Sequence, residues 1–287
     1  MSSPVPLLLL HGFSGSAASW DDLRRHIQPG LPKTGLPKTG QPEIGLPTLA
    51  LDLVGHGTAP VPADPRRYSM AACVGDVLRE LDARAVPRAP VLGYSMGGRV
   101  ALHLALTAPG RVPALILASA SPGIQDPAER AARIAADEEL ARFVEREGIH
   151  AFVERWERVP LLALGPHVSD EVRARQRRER LAKDPRGLAG SLRGMGAGQQ
   201  APVWDRLGEL HMPALLIVGE RDARYRAVAE RMSGLLPDAR LKVVPHAGHT
   251  VHLDQPAAVA SLVTRFLVDA GCWPSRSIDT GRDALLE

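Results

Sequence analysis

Ser95 stands in Gly93-Tyr94-Ser95-Met96-Gly97, a G-x-S-x-G pattern between a short apolar run at 91–92 and a helical apolar pattern at 100–107. A strand turning sharply into a helix there would hold the serine hydroxyl out of the sheet, and the flanking glycines relieve the crowding of such a turn. The start of the following helix adds unpaired N–H groups that can face a developing anion. A serine hydroxyl attacks or abstracts a proton only when a neighbour takes its own. Two later residues fit that need. Asp222 follows the apolar run 214–218 in Gly219-Glu220-Arg221-Asp222, and His249 follows the run 241–244 in Ala247-Gly248-His249. Both lie past predicted strand ends, where open parallel sheets collect their sites. The expected division of labour gives His249 the Ser95 proton and leaves Asp222 to fix the imidazole tautomer and stabilise the imidazolium. Glu220 competes for the role of the acid but lies nearer the strand end, so Asp222 is preferred.

Leu10-His11-Gly12-Phe13 closes the first apolar run. The backbone N–H groups of Phe13 and Met96 are expected to converge near Ser95 as an oxyanion pair, each such donor contributing about 3 kcal/mol to a charged transition state. Phe13 would act through its backbone alone; a plain tight turn is the competing account of His11 and Gly12. His246, His249 and His252 could suggest a metal, but no nearby carboxylate–histidine motif completes a ligand set. A triad histidine with two structural neighbours is the simpler account, and no metal is expected.

These residues need a sheet to position them. Short apolar runs recur at 5–10, 49–53, 91–92, 114–118, 214–218 and 241–244, each bounded by Gly, Pro or Asp. Continuous apolar runs suit strands buried on both faces of a parallel sheet, and helical patterns at 69–84, 225–236 and 255–270 alternate with them. The expected class is α/β, a mostly parallel sheet flanked by helices. Two segments break the alternation. Over 30–48, Gly30, Gly35, Gly40 and Gly45 are each followed two positions later by proline, at a density that denies a ladder its donors, so a surface loop is expected. Residues 126–186 hold 13 Lys or Arg against 13 Asp or Glu at helical spacing, which reads as a helical insertion lying over the sheet. Insertions of that kind form lids and hold selectivity. The expected organisation is a first core segment at 1–120, a helical cap at 121–200, a second core segment at 201–270 and a tail at 271–287.

Composition narrows the partners. Lys and Arg number 35 against 32 Asp and Glu, a net charge of +3, which gives no reason to expect nucleic acid. The 45% hydrophobic content can fill a substantial core, which excludes a disordered chain. Cys73 and Cys272 match no metal spacing and read as reduced thiols. The run at 5–10 is too short for a signal h-region, and no stretch approaches the roughly 20 apolar residues of a membrane span, so a cytoplasmic protein without membrane insertion is expected.

With these residues placed, the chain resembles α/β-hydrolase-fold proteins from Val5 to about Ala270. His11-Gly12-Phe13-Ser14-Gly15, Gly93 to Ala101, Gly219 to Asp222 and Ala247 to His252 are together similar to one branch, the 2-succinyl-6-hydroxy-2,4-cyclohexadiene-1-carboxylate synthases of menaquinone biosynthesis. Ser121-Pro122-Gly123, Glu129 to Arg133 and Arg180-Leu181-Ala182 resemble that branch's cap. The resemblance implies a lyase reaction rather than hydrolysis, in which the activated serine takes a ring proton from an enolpyruvyl cyclohexene tricarboxylate and pyruvate is eliminated. It implies no cofactor, a small anionic substrate, and substrate-binding roles for Arg99, Arg133, Arg180, Tyr94 and Trp156. Arg99 lies one helical turn after Ser95 and so on its face. Arg130 competes with Arg133; Arg175, Arg177 and Arg178 compete with Arg180; Trp156 fits cap core equally. A carboxylic-ester hydrolase with the same triad is the alternative activity, and a non-catalytic ligand-binding receptor is the third reading, disfavoured by an intact triad.

Overall fold

The computed structural model describes residues 5–27 and 45–273. The repeat at 30–44 and the tail after Trp273 lie outside the described residues. Six strands, β1 (Leu7–Leu10), β2 (Thr48–Leu51), β3 (Val91–Tyr94), β4 (Leu115–Ala118), β5 (Ala214–Gly219) and β6 (Ala239–Val244), form one sheet in the order β2-β1-β3-β4-β5-β6. All five pairings are parallel. The helices are α1 (Asp21–Ile27), α2 (Met70–Ala83), α3 (Met96–Thr107), α4 (Pro127–Glu157), α5 (Asp170–Leu181), α6 (Pro185–Met195), α7 (Ala223–Ser233), α8 (Val251–Asp254) and α9 (Pro256–Asp269).

Alternation along β1 builds the two halves of the core. Leu8 and Leu10 face the layer of α2, α3 and α7, whereas Leu7 and Leu9 face α1 and α9. All four leucines are fully buried, each contributing about 1.5–3 kcal/mol relative to an exposed side chain. The expectation of strands buried on both faces holds for β1, β3, β4 and β5. It fails at the edges. β6 exposes Arg240, Lys242 and Val243, and β2 is only half-buried along most of its length. An edge strand has one paired neighbour and one open side, and charge on that side discourages pairing with another chain.

The insertion falls between β4 and β5, as α4, α5 and α6. Gly148, with φ 81°, breaks α4 into two helical stretches. Ala141, Val144, Phe152 and Val153 then meet Leu188, Ala189 and Leu192 of α6 in a separate small core, against which Phe13 and Trp156 also pack. The cap is thus a helical unit with its own apolar centre, seated over the carboxyl ends of the strands. No helix among the described residues is long and apolar enough to cross a membrane.

Candidate active site

Ser95 connects β3 to α3 with φ 49° and ψ −108°, a left-handed backbone that costs a non-glycine residue on the order of 1–3 kcal/mol. The turn is tight enough to dictate its neighbours. A Cβ at Gly93 would stand 2.3 Å from the carbonyl oxygen of Gly97, and one at Gly97 would stand 2.1 Å from that of Leu10. Only glycine fits at either position. The strain aims the serine at a histidine: His249 Nε2 lies 3.1 Å from Ser95 Oγ, and His249 Nδ1 lies 2.7 Å from Asp222 Oδ2. Both His249 and Asp222 are buried. An ionised Asp222 accepts from Nδ1–H, which leaves Nε2 as the acceptor for the serine proton. Asp222 is held in turn by the Tyr225 N–H, which its Oδ1 accepts at 3.1 Å in capping α7.

Glu220, the competing acid, is exposed and accepts the His246 N–H at 2.9 Å. It is occupied away from the imidazole. His246 is exposed, whereas His252 is buried between the rings of Trp20 and Tyr94, with centroids at 4.7 and 4.4 Å. Burial, with a smaller contribution from His249, lowers the His252 pKa to about 3. No group of three His, Cys, Asp or Glu among the described residues could hold a metal ion. His11 is no plain turn residue. It is fully buried, its Nε2 accepts the Leu53 N–H at 3.0 Å, and its Nδ1 lies 2.8 Å from the Gly12 carbonyl oxygen, to which Nδ1–H donates.

Phe13 and Met96 border the cavity into which Ser95 opens. Met96 is the first residue of α3, so its N–H has no partner four residues back within the helix. The Phe13 side chain does more than expected. Its ring meets Trp156 edge-on at 5.2 Å and Phe152 at 6.1 Å, keying the loop after β1 to the cap. Substitution of the side chain therefore disturbs the cap seam as well as the backbone donor.

A cavity of about 420 Å³ lies between cap and sheet and is bordered by Ser95, His249, Tyr94, Trp156 and four arginines, Arg99, Arg133, Arg155 and Arg180. Asp137 and Glu179 are the carboxylates bordering it among the described residues. Arg99 is 9% exposed, and its Nη1 donates to the Met195 carbonyl at 2.7 Å and to Gln200 Oε1 at 3.2 Å. Among the described residues no carboxylate pairs with it. Burial lowers its pKa to about 10, which leaves it charged at neutral pH. Arg133 is paired with Asp137 through Nε at 2.8 Å. Burial raises the Asp137 pKa although Arg133 and Arg99 both pull it down. Arg130, the alternative to Arg133, donates through Nε to the Gly198 carbonyl at 2.7 Å.

Arg180 lies 3.1 Å from Gln176 Oε1 and 3.4 Å from Glu157 Oε1. None of its rivals borders the cavity: Arg175 pairs with Asp22, Arg177 shares Glu157 with Arg180, and Arg178 is exposed. Trp156 borders the cavity and also stacks on Phe152 at 5.5 Å, within the cap's small core. Tyr94 is buried, its hydroxyl 3.3 Å from Thr250 Oγ1 and its pKa raised by that burial.

Sequence reasoning missed Arg155, Gln176, Glu179 and Tyr225. The Tyr225 ring stands 4.4 Å from the His249 ring, and no motif announces it. Asp137 was findable, four residues after Arg133 on one helix face.

The α/β hydrolase fold family model matches residues 5–256 of the chain. A provisionally assigned 2-succinyl-6-hydroxy-2,4-cyclohexadiene-1-carboxylate synthase of Bacillus subtilis (strain 168) is 39% identical over 261 residues, covering 91% of this chain and 89% of the relative. The synthase of that name from Klebsiella pneumoniae subsp. pneumoniae is 30% identical over 265 residues, covering 91% and 93%. Among solved structures, MenH from S. aureus superposes with a TM-score of 0.82 at 28% identity, over 94% of this chain and 96% of the other. A hydrolase from Pseudomonas aeruginosa PA01 superposes with a TM-score of 0.71 at 27% identity, over 93% and 91%. The chain belongs to the α/β hydrolase fold family and, within it, to the 2-succinyl-6-hydroxy-2,4-cyclohexadiene-1-carboxylate synthases.

Proposed function

We propose that the protein eliminates pyruvate from 2-succinyl-5-enolpyruvyl-6-hydroxy-3-cyclohexene-1-carboxylate, using Ser95, His249 and Asp222 to move the proton. His249 Nε2 takes the Ser95 hydroxyl proton, and Asp222 stabilises the imidazolium. The serine oxygen removes a ring proton. Its electrons form a new ring double bond and shift along the ring to expel the enolpyruvyl oxygen, so a C–O bond breaks and no water is consumed. The enolpyruvyl group leaves as the pyruvate enolate, whose carbon gains one proton as the His249 imidazolium gives one up, directly or through solvent. Ser95 keeps the ring proton, so the triad is restored with no net proton gained or lost. Phe13 and Met96 offer backbone donors for charge developing on the substrate.

The observation that bears most weight is Arg99. It is a buried cation with neutral acceptors only, on the wall of the cavity that Ser95 opens into. A buried guanidinium hydrogen-bonded only to neutral acceptors is costly, and a substrate carboxylate would complete it with charge-assisted hydrogen bonds. A neutral ester would leave that cost unrelieved. Arg133 and Arg180 supply the other two cations for a guest with three carboxylates, while Tyr94 and Trp156 line its path. Purified protein given the enolpyruvyl precursor should release pyruvate, read as NADH oxidation with lactate dehydrogenase. Turnover of simple esters without pyruvate release would replace this reading with a carboxylic-ester hydrolase.

A further inference from the structure

Asp254, at the end of α8, has a completely buried side chain that takes no part in the triad. Its two oxygens divide between the two halves of the molecule. Oδ2 accepts the N–H of Gly248 at 2.6 Å, and Gly248 immediately precedes His249. Oδ1 accepts the N–H of Gly165 at 2.7 Å, in the cap loop that leads into α5. Arg221, immediately before Asp222, reaches Oδ2 through Nη2 at 3.5 Å. The Asp254 backbone carbonyl receives a second cap contact, from His167 Nε2 at 2.8 Å. On the cap side, Arg173 of α5 donates to the carbonyl of Gly165. The turn before that loop contributes Leu161 and Leu162 to the cavity wall.

One carboxylate therefore grips the backbone beside the triad histidine and the backbone of the cap, with a guanidinium from the residue beside the triad acid. Hydrogen bonds to a charged acceptor are short and roughly twice as strong as neutral ones, so this is a stiff joint. Ser95 Oγ and His249 Nε2 stand at 3.1 Å, a spacing that depends on where the 247–249 backbone is held. We infer that Asp254 is a positioning residue that sets the His249 imidazole against Ser95 and couples that setting to the seating of the cap. The inference rests on the triad reading above.

Asp254→Asn tests it. The amide can accept one of the two N–H groups but must turn its own NH₂ toward the other, so one arm of the joint is lost. Two readouts separate the arms: the rate at which diisopropyl fluorophosphate labels Ser95, which needs the triad but no anionic guest, and the kinetics of pyruvate release. Asp254→Asn should slow labelling and kcat together, by roughly 10- to 100-fold, because small misplacements of a catalytic base carry that order of loss. The pH midpoint of labelling should move with it. His167→Ala loosens the cap side only, and should raise KM for the precursor while labelling stays within about two-fold of wild type. A folded Asp254→Asn protein that labels at the wild-type rate and pH midpoint would overturn the inference, leaving the carboxylate a cap tether. Should that variant not fold, Asp254→Glu keeps the charge but displaces both oxygens by one methylene; slowed labelling supports the joint, and labelling at the wild-type rate and pH midpoint overturns it. A wild-type protein that resists labelling would instead break the triad reading itself.

Discussion

The two walls of the cavity are built on different principles. On the sheet side, Ser95, Asp222 and His249 each follow a strand of one parallel sheet, and their spacing is inherited from strand register and buried packing. On the cap side, Arg133, Arg155 and Arg180 are held by side-chain partners: Asp137, Glu139, and Gln176 with Glu157. Partners of that kind can be exchanged for substrate carboxylates at modest cost, because partly exposed ion pairs contribute about 0–1 kcal/mol each. Arg99 belongs to the sheet side by position and to the cap side by chemistry. Its helix starts at the serine turn, but its guanidinium is tethered to Met195, which ends the last cap helix, and to Gln200 just after it. On the proposed reading, chemistry is preset on the sheet side and recognition falls to side chains of the cap.

Removing the sheet-side machinery should have the largest effect. Ser95→Ala is expected to lower kcat for pyruvate release by at least about 10³-fold, with little change in thermal stability. Asp222→Asn should fall by a similar order, because the amide favours the wrong imidazole tautomer, whereas Glu220→Gln should stay within about two-fold. Equal losses at Asp222 and Glu220 would dissolve the assignment of the acid. Arg99→Ala comes next: kcat/KM for the tricarboxylate should drop by roughly 10²-fold, while cleavage of p-nitrophenyl acetate changes much less. Equal losses on both would make Arg99 a structural tether only. Arg133→Ala and Arg180→Ala should each raise KM by about ten-fold with kcat nearly kept, as expected for side chains that already have protein partners.

The same asymmetry governs what could be read in the sequence. The serine turn was legible because its sterics are local: Gly93 and Gly97 are demanded by atoms about 2 Å from where a Cβ would sit. Asp222 and His249 were legible because the ends of β5 and β6 can be found from apolar runs, even though β6 is not buried on both faces. The cap was legible as helices, but which of its side chains border the cavity was not. Whether Arg130 or Arg133 faces the cavity depends on the Gly198 carbonyl, from a loop 68 residues later, and Arg180 finds Glu157 on a different helix. Such contacts have no periodic signature. The edge strand β6 was misread for a related reason, since an apolar run does not say how many neighbours a strand will have.

Acid should separate the two walls, with the smallest effect at neutral pH. His11, His56 and His252 are buried on the sheet side, and burial is the first cause that lowers their pKa values to about 4, 3 and 3. In the unfolded chain each titrates near 6.5. Above that pH both states are neutral and the full stability is present. Between 6.5 and the folded values only the unfolded chain takes up the proton, so stability falls by about 1.4 kcal/mol per pH unit for each histidine. The cap carboxylates also lose stability in acid, but at lower pH. Hydrogen bonds from Arg193 hold Glu138 and Glu145 below their usual range, so that contribution is lost only once pH drops beneath about 4.3. Urea denaturation should therefore give a flat stability above pH ~7 and a steep decline from 6 to 5, where the cap pairs are still intact. His252→Phe keeps a ring between Trp20 and Tyr94 and removes one titrating group, so the decline should lessen by about 1.4 kcal/mol per pH unit. An unchanged slope in that variant would mean that His252 is not held neutral, and that the sheet side owes its acid sensitivity to other groups.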